Sequence, residues 1–281
     1  MTTTEMMKLA ERLSERDWAI VASTRTYRFL TTRQLTRMHF APNGVTGRIP
    51  RAANLALSRL RGLGLLANLA RRIGGVRAGS SGHVWTVTDT GHRLLAWRDH
   101  EPRGARVRPY EPSSTFLEHT IAIAEVVLDL TDAATARQIT VSRVELEPAA
   151  WRTYLDRSGA TLHLKPDLAV TTMTDEYEDA WFIEVDRDTE PPGRIVRKCL
   201  QYQDYRRSST EQRKRGVFPA VVWVVPSPRR CRQLRARIKA EPQIDQRLFT
   251  IITPDQLSEL IAAGANDFNN NTGGQKGRDP S

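Results

Sequence analysis

Cysteine is scarce in this chain. Cys199 and Cys231 stand alone, with no Cys-x-x-Cys or Cys/His spacing, so neither a disulfide framework nor a structural zinc site is expected. The six histidines form no i,i+4 pair and have no cysteine companions, which argues against a zinc enzyme. Long apolar runs are missing too: stretches such as "AVVWVV" at Ala220 to Val225 fall far short of the roughly 20 residues that span a bilayer. Met1 to Ala10 lacks an apolar signal core, so a cytoplasmic location is expected, with no membrane partner. Glycine pairs occur without the GxGxxG or GxxxxGK[ST] context of nucleotide sites, and no serine lies in a GxSxG elbow.

Positive charge, by contrast, is plentiful. The 281 residues hold 42 Lys and Arg against 32 Asp and Glu, a formal net charge of +10. Such a balance favours a polyanionic partner through phosphate contact and counterion release. Nucleic acid leads over an acidic membrane surface, and most of the excess is arginine, whose planar fork suits phosphate and guanine. A basic but inert surface is the plainer alternative. An apolar content of 40% at this length is enough for two ordinary domains.

The chain divides at "RDHEPRGARVRPYEPSS", Arg98 to Ser114, where Pro, Gly and Arg interrupt hydrophobic periodicity. That predicts domains at 1–97 and 115–263, a linker at 98–114 and, in the Gly- and Asn-rich end, a disordered tail at 264–281. In the first segment Glu15 to Leu30 has helical spacing through Trp18, Ala22 and Tyr27/Phe29/Leu30. Thr31 or Thr32 can cap a short helix carrying Gln34, Leu35 and Met38. The next helix, Arg51 to Leu63, is expected to turn Leu55, Ala56 and Leu60 inward. Arg51, Asn54, Ser58, Arg59 and Arg61 then fall on its other faces. Runs at Ala67 to Ile73 and His83 to Thr88, joined by "GGVRAGSSG", predict a β-hairpin bearing Arg71, Arg72 and Arg77, with a closing helix over Asp89 to Trp97.

The second segment opens on a helix with a Leu117/Ile121/Ala124/Leu128 stripe and with Glu118 and Glu125 beside it. Strands follow at Ile139 to Leu146, Thr161 to Thr172 and Ala180 to Asp186. A helix at Pro192 to Arg207, a strand at Ala220 to Pro226, a basic helix at Pro228 to Ala240 and a strand at Leu248 to Ile252 complete the order. Asp167, Glu184 and Asp186 are carboxylates in apolar strands, where an unpaired charge is costly. A metal ion is one compensation. Ion pairing with Arg187, Arg194 or Arg197 is another.

Glu15 to Trp97 resembles a winged helix-turn-helix domain. That resemblance implies recognition of DNA by Arg51, Asn54 and Arg59 on the third helix, with Arg71, Arg72 and Arg77 of the hairpin at the backbone; a winged helix used for protein contacts is the alternative. The second segment, with Pro166-Asp167 and, seventeen positions on, Glu184-Val185-Asp186, resembles the PD-(D/E)XK nuclease superfamily. The implied fold class is α+β or α/β, with a winged helix followed by a restriction-endonuclease-like core. The implied metal is Mg²⁺ or Mn²⁺ on Asp167 and Glu184, with Glu125 as a third carboxylate. The position of the motif lysine holds Asp186, so the catalytic cation has to come from elsewhere, and Lys198 on the following helix completes the catalytic set with Asp167 and Glu184. Gln201 and Tyr205 resemble the Q-x-x-x-Y element of RecB-like nucleases, and their spacing lets both face the site or the DNA.

Taken together, "KPDLAV", "FIEVDRDTE" and the downstream K-x-x-x-Y behind a winged helix resemble the replication-relaxation family of plasmid and integrative-element proteins, over most of Arg16 to Leu260. The resemblance implies a DNA-binding protein in replication, relaxation or mobilisation of mobile DNA, working beside a relaxase or replication initiator. Its nuclease-like domain is either inactive or an Mg²⁺-dependent endonuclease or nickase. A winged-helix transcription regulator whose second domain makes a homodimer is the remaining reading.

Overall fold

The computed structural model describes residues 2–40, 49–69, 83–102, 106–107, 111–156 and 158–271, with side chains to 265. Two compact units emerge, Met1–Leu128 and Asp129–Ser281, each of mixed α+β structure.

Unit one begins with α1 (Thr3–Ala10) and α2 (Glu15–Tyr27). Ser14 and Asp17 form a reciprocal capping box at the start of α2, satisfying two amide groups that a helix end leaves unpaired. The helix stops at Tyr27, three residues short of the expected end, because Arg28 turns to φ 64 and Leu30–Thr31 becomes strand β1. Its innermost residues are Ile20, Val21 and Thr24; Trp18 and Ala22 flank the core rather than centre it. Helix α3 (Thr32–His39) is capped by Thr31, one of the two expected candidates, and Gln34 completes a capping box.

Helix α4 (Arg51–Gly62) is rotated from the expected face. Ala53, Leu57 and Leu60 are buried, whereas Leu55 is 59% exposed. Residues 53, 57 and 60 step by four and three and so share a stripe, while Leu55 lies about 200° around the axis from Leu57. Strands β2 (Leu66–Asn68) and β3 (Val84–Val87) are antiparallel, and β1 pairs on the other side of β3. Residues 70–82, with Arg71, Arg72, Arg77 and the hairpin tip, lie outside the described residues. Helix α5 (Asp89–Arg98) follows, close to the expected span.

The unit boundary differs from the expected linker. Described residues after α5 are fastened to unit one: Arg25 pairs with Asp99 at 3.0 Å and Glu101 at 3.1 Å, and the Val107 amide donates to Asp89 at 2.9 Å. Helix α6 (Ser114–Ala136) then places Leu117 with Phe29 and Val84, and Ala124 in the core with Leu35 and Leu57. The division therefore falls inside α6, between Leu128 and Asp129.

Unit two holds a five-stranded sheet of order β10-β9-β8-β7-β4. Its antiparallel half is β4 (Thr140–Leu146), β7 (Leu168–Met173) and β8 (Glu178–Val185). Its parallel half adds β9 (Ala220–Val224) and β10 (Phe249–Ile252) to β8. Parallel neighbours need long crossovers; α7 (Pro192–Arg207), with short α8 (Thr210–Arg215), supplies the first and α9 (Pro228–Lys239) the second.

The single strand expected over Thr161 to Thr172 is broken. Pro166 has no amide hydrogen to donate, and the chain splits there into β6 (Thr161–Leu164) and β7, with β6 pairing instead to β5 (Arg152–Leu155). The main core of unit two includes Phe182, Val221, Trp223 and Ile251 from the sheet, Cys199, Tyr202 and Tyr205 from α7, and Cys231, Leu234 and Ile238 from α9. Helix α10 (Leu257–Asn271) runs past Gly264 into the segment expected as a tail. At φ 76, Gly264 supplies a conformation other residues resist, and Asp179 accepts the Ala265 amide at 3.1 Å to restart the helix. Residues 272–281 lie outside the described residues.

Candidate functional site

Strand β8 alternates its faces, so Phe182, Glu184 and the following Asp186 point toward α7 and α9. Asp167 immediately precedes β7. Leu168 pairs with Ile183, and continuing this antiparallel register by one residue places Asp167 beside Glu184. The Asp167 carboxylate accepts the Val185 amide at 2.8 Å, extending the β7–β8 ladder with a side chain where Pro166 has interrupted the backbone. Two carboxylates thus meet at the end of two adjacent strands.

Helix α7 supplies their counter-charge. The Lys198 ammonium donates to Glu184 Oε2 and lies 4.0 Å from Asp167 Oδ1, while the Tyr202 hydroxyl donates to Glu184 Oε1 at 2.5 Å. Lys198 and Tyr202 are four residues apart and share one helix face. Glu184 is only 1% exposed. Burial pushes its carboxyl up to about 8; the Lys198 charge pulls against this and the Asp167 charge adds to it. Burial also opposes the charge on Lys198, but Glu184 and Asp167 outweigh it and hold the ammonium above its ordinary range. Tyr202 is raised by burial and by the neighbouring Glu184 charge, so it stays a donor.

Asp186, where the nuclease resemblance leads one to expect a lysine, takes a different partner. Arg230 of α9 grips it in a fork, Nε to Oδ2 at 2.6 Å and Nη2 to Oδ1 at 3.1 Å. Arg230 also reaches the Glu190 carbonyl at 2.7 Å and Asp188 at 3.0 Å. The ion pair expected for Asp186 is therefore real, but its partner comes from α9; Arg194 pairs with Glu190 at 3.1 Å instead. The Asp186 hydrogen bonds raise the Arg230 pKa against the opposing effect of burial.

Of the predicted residues, Asp167, Glu184 and Lys198 are brought together. Glu125 is not: it belongs to unit one, where Gln34 donates to it at 2.9 Å and Arg37 pairs with it at 3.1 Å. Among the described residues no group of three or more His, Cys, Asp or Glu is placed to hold a metal. Gln201 and Tyr205 do not form the expected pair. Gln201 is exposed, and the Tyr205 ring is buried against Tyr154, Phe182 and Phe218, at centroid distances of 5.1–6.3 Å. Tyr202 entered the sequence reading only as the tyrosine of the K-x-x-x-Y, with no role at the carboxylates assigned to it, although its i,i+4 spacing from Lys198 puts both on one helix face. Arg230 carried no local signal, being 44 residues from Asp186.

In unit one, Arg51 and Asn54 are exposed on the outer face of α4, together with Leu55 and Ser58. Arg59 is committed internally, with an ion pair to the Asp17 cap residue and a hydrogen bond to the Arg12 carbonyl at 3.3 Å. The same Asp17 is held below the usual carboxylate range: burial opposes this, and Arg59 and Ser14 outweigh it.

A family model described as replication-relaxation matches residues 22–221, a span that contains Asp167, Glu184 and Lys198 and stops before Arg230. No curated protein and no solved structure matches the chain.

Proposed function

Because the chain belongs to the replication-relaxation family, we propose that it processes DNA in the replication or relaxation of mobile elements, as a two-part protein. Unit one acts as a winged helix that reads DNA through the outer face of α4, with Arg51 and Asn54 as its donors. Unit two acts as a PD-(D/E)XK-type core in which Asp167, Glu184 and Lys198 form a phosphodiester-cleaving site. The strand and helix order supports this reading: a sheet with three antiparallel strands followed by two parallel ones, crossed by α7 and α9.

The observation that carries the proposal is Lys198. The lysine missing from the motif position is replaced by one that α7 delivers to the same two carboxylates. The donor set suits a hard divalent ion: a cationic group already bridges the two carboxylates, and water with substrate phosphate can complete an Mg²⁺ shell. Asp167 and Glu184 would hold Mg²⁺ or Mn²⁺, which when bound polarises a phosphate and lowers the pKa of water. Lys198 then supplies positive charge beside the reacting phosphate, and Tyr202 fixes the Glu184 carboxylate by its hydrogen bond. Arg230 holds the segment between β8 and α7 through Asp186 and the Glu190 carbonyl.

One observation favours a DNA-binding core that does not cut. Both oxygens of Glu184 already accept hydrogen bonds, from Lys198 and Tyr202, so a metal has to displace the ammonium. A nicking assay decides between the two. Supercoiled plasmid with Mg²⁺ or Mn²⁺ should be converted to open circles by the wild type, and not by Asp167→Ala or Lys198→Met. Binding without conversion by any of the three leaves the non-cutting reading; equal conversion by wild type and Asp167→Ala rules the site out.

A further inference from the structure

Helices α7 and α9 pack against each other, and their inner faces present Lys198, Tyr202 and Arg230 to the carboxylates of β8 and its end. Their outer faces have another character. From Pro191 to Lys239 the sequence contains 14 Lys and Arg and only two Asp and Glu, whereas residues 140–190 contain five and twelve. Charge is thus uneven along unit two, a net of +12 (14 − 2) in the first stretch against −7 (5 − 12) in the second. Both acids of the basic stretch are engaged: Glu211 is buried against Arg152 at 2.8 Å, and Asp204 pairs with Arg207 at 3.0 Å. No acid is left there to neutralise the exposed cations.

On α9, Arg232, Arg237 and Lys239 are exposed and make no ion pair among the described residues; on α7 the same holds for Arg197, the immediate neighbour of Lys198. Arg232 and Lys239, seven residues apart, share one side of α9 and repel one another, with Arg237 on the flank, and a polyanion relieves the repulsion. The apolar residues of α9 decide which polyanion. Leu234 and Ile238 are buried in the core, and the side chains exposed between the cations are Gln233 and Ala236. A helix that lies in a membrane interface needs an exposed apolar face, and α9 has none. Exposed arginines without apolar neighbours suit phosphate backbones.

We propose that the outer face of α7 and α9 is a second DNA-binding surface, separate from α4, that holds the phosphate backbone next to the Asp167–Glu184–Lys198 site. It extends the DNA-processing reading above by assigning to unit two its own sequence-independent grip on the substrate.

The test uses the full chain and needs neither metal nor cleavage, so a failed nicking assay leaves it intact. Anisotropy of a labelled random-sequence duplex is measured in EDTA from 50 to 200 mM NaCl for wild type and for the triple variant Arg232→Gln, Arg237→Gln, Lys239→Gln. Each lost phosphate contact lowers the slope of log K against log salt by about 0.9, so the triple variant should lose roughly 2–3 slope units. An unchanged slope and affinity would overturn the surface assignment. So would a triple variant that keeps DNA binding but loses binding to phosphatidylserine vesicles. Cross-linking of the wild type to bromodeoxyuridine-substituted duplex gives a check free of substitutions: adducts on peptides of α7 or α9 support the proposal, and their absence while α4 is labelled refutes it.

Discussion

Replacing Arg230 with Met tests whether the Asp186 clamp stabilises unit two. Methionine keeps much of the stem volume but removes a guanidinium whose side chain is 2% exposed, leaving the Asp186 carboxylate with the Asp188 amide at 3.2 Å but without its counter-charge, and the Glu190 carbonyl without the Arg230 donor. Breaking a buried ion pair by deleting one partner costs about 3–5 kcal/mol, because the remaining charge is stranded. Unit two spans 153 residues. At about 2.1 cal/mol/K per residue its unfolding entropy is about 0.3 kcal/mol/K, so its melting temperature should fall by roughly 9–16 °C. Scanning calorimetry of the full chain reads this as a downward shift of one transition. Asp186→Asn added to Arg230→Met removes the stranded charge and should recover more than half of the loss, a coupling expected only of residues in contact. A single-variant shift below about 3 °C, or a double variant as unstable as the summed singles, would refute the reasoning.

The Glu184 carboxyl, pushed up to about 8 by burial, binds a proton in the folded state over a pH range in which the unfolded chain has lost it. Its contribution to stability without metal is therefore greatest below its ordinary value near 4.5 and is lost as pH rises toward 8. Because only the ionised form ligates, Mg²⁺ affinity measured by calorimetry should rise by up to tenfold per unit from about pH 6 and flatten above about 8; a flat affinity across that range contradicts the assignment of Glu184 as a ligand. Tyr202→Phe leaves the buried Glu184 carboxyl without one of its hydrogen-bond donors and should destabilise unit two by about 1–3 kcal/mol in urea unfolding, while Gln201→Ala changes it by less than about 0.5. The reverse order would restore the Gln201/Tyr205 pairing as the functional one. Arg51→Ala should weaken specific DNA binding by about 1–3 kcal/mol without loss of melting temperature, whereas Arg59→Ala should lower the melting temperature of unit one by releasing Asp17; equal melting temperatures for the two variants would remove the structural role of Arg59.

Several elements of this protein are legible in its sequence. The Val-, Ile- and Trp-rich runs with period two or continuous apolarity mark β8 and β9, and helical spacing places α7 at its observed ends, because one element buries one repeating face. Asp167 and Glu184 stood out because carboxylates in apolar strands demand compensation, and Lys198 because the motif lysine was absent. What escaped was everything that depends on angles and distant partners. The inward face of α4 shifted by a few residues because two apolar stripes were nearly equivalent in sequence, and packing against Ile20 and Leu35 chose the one with Leu57.

Glu125 and Tyr205 show the same limit. Each had the right residue type, but Glu125 is bound by Gln34 and Arg37 in unit one, and Tyr205 fills an aromatic core that Phe218 and Tyr154 complete from other elements. Local pattern thus determined the succession of α6, the sheet strands, α7 and α9, the two strand carboxylates and the lysine that follows them, since those are properties of neighbouring residues, but not β5, α8 or the break at Pro166. Tertiary structure alone decided that Tyr202 faces Glu184 and that Arg230, 44 residues beyond Asp186, closes the site from α9, because a buried charge takes its partner from whichever chain segment the fold brings within reach.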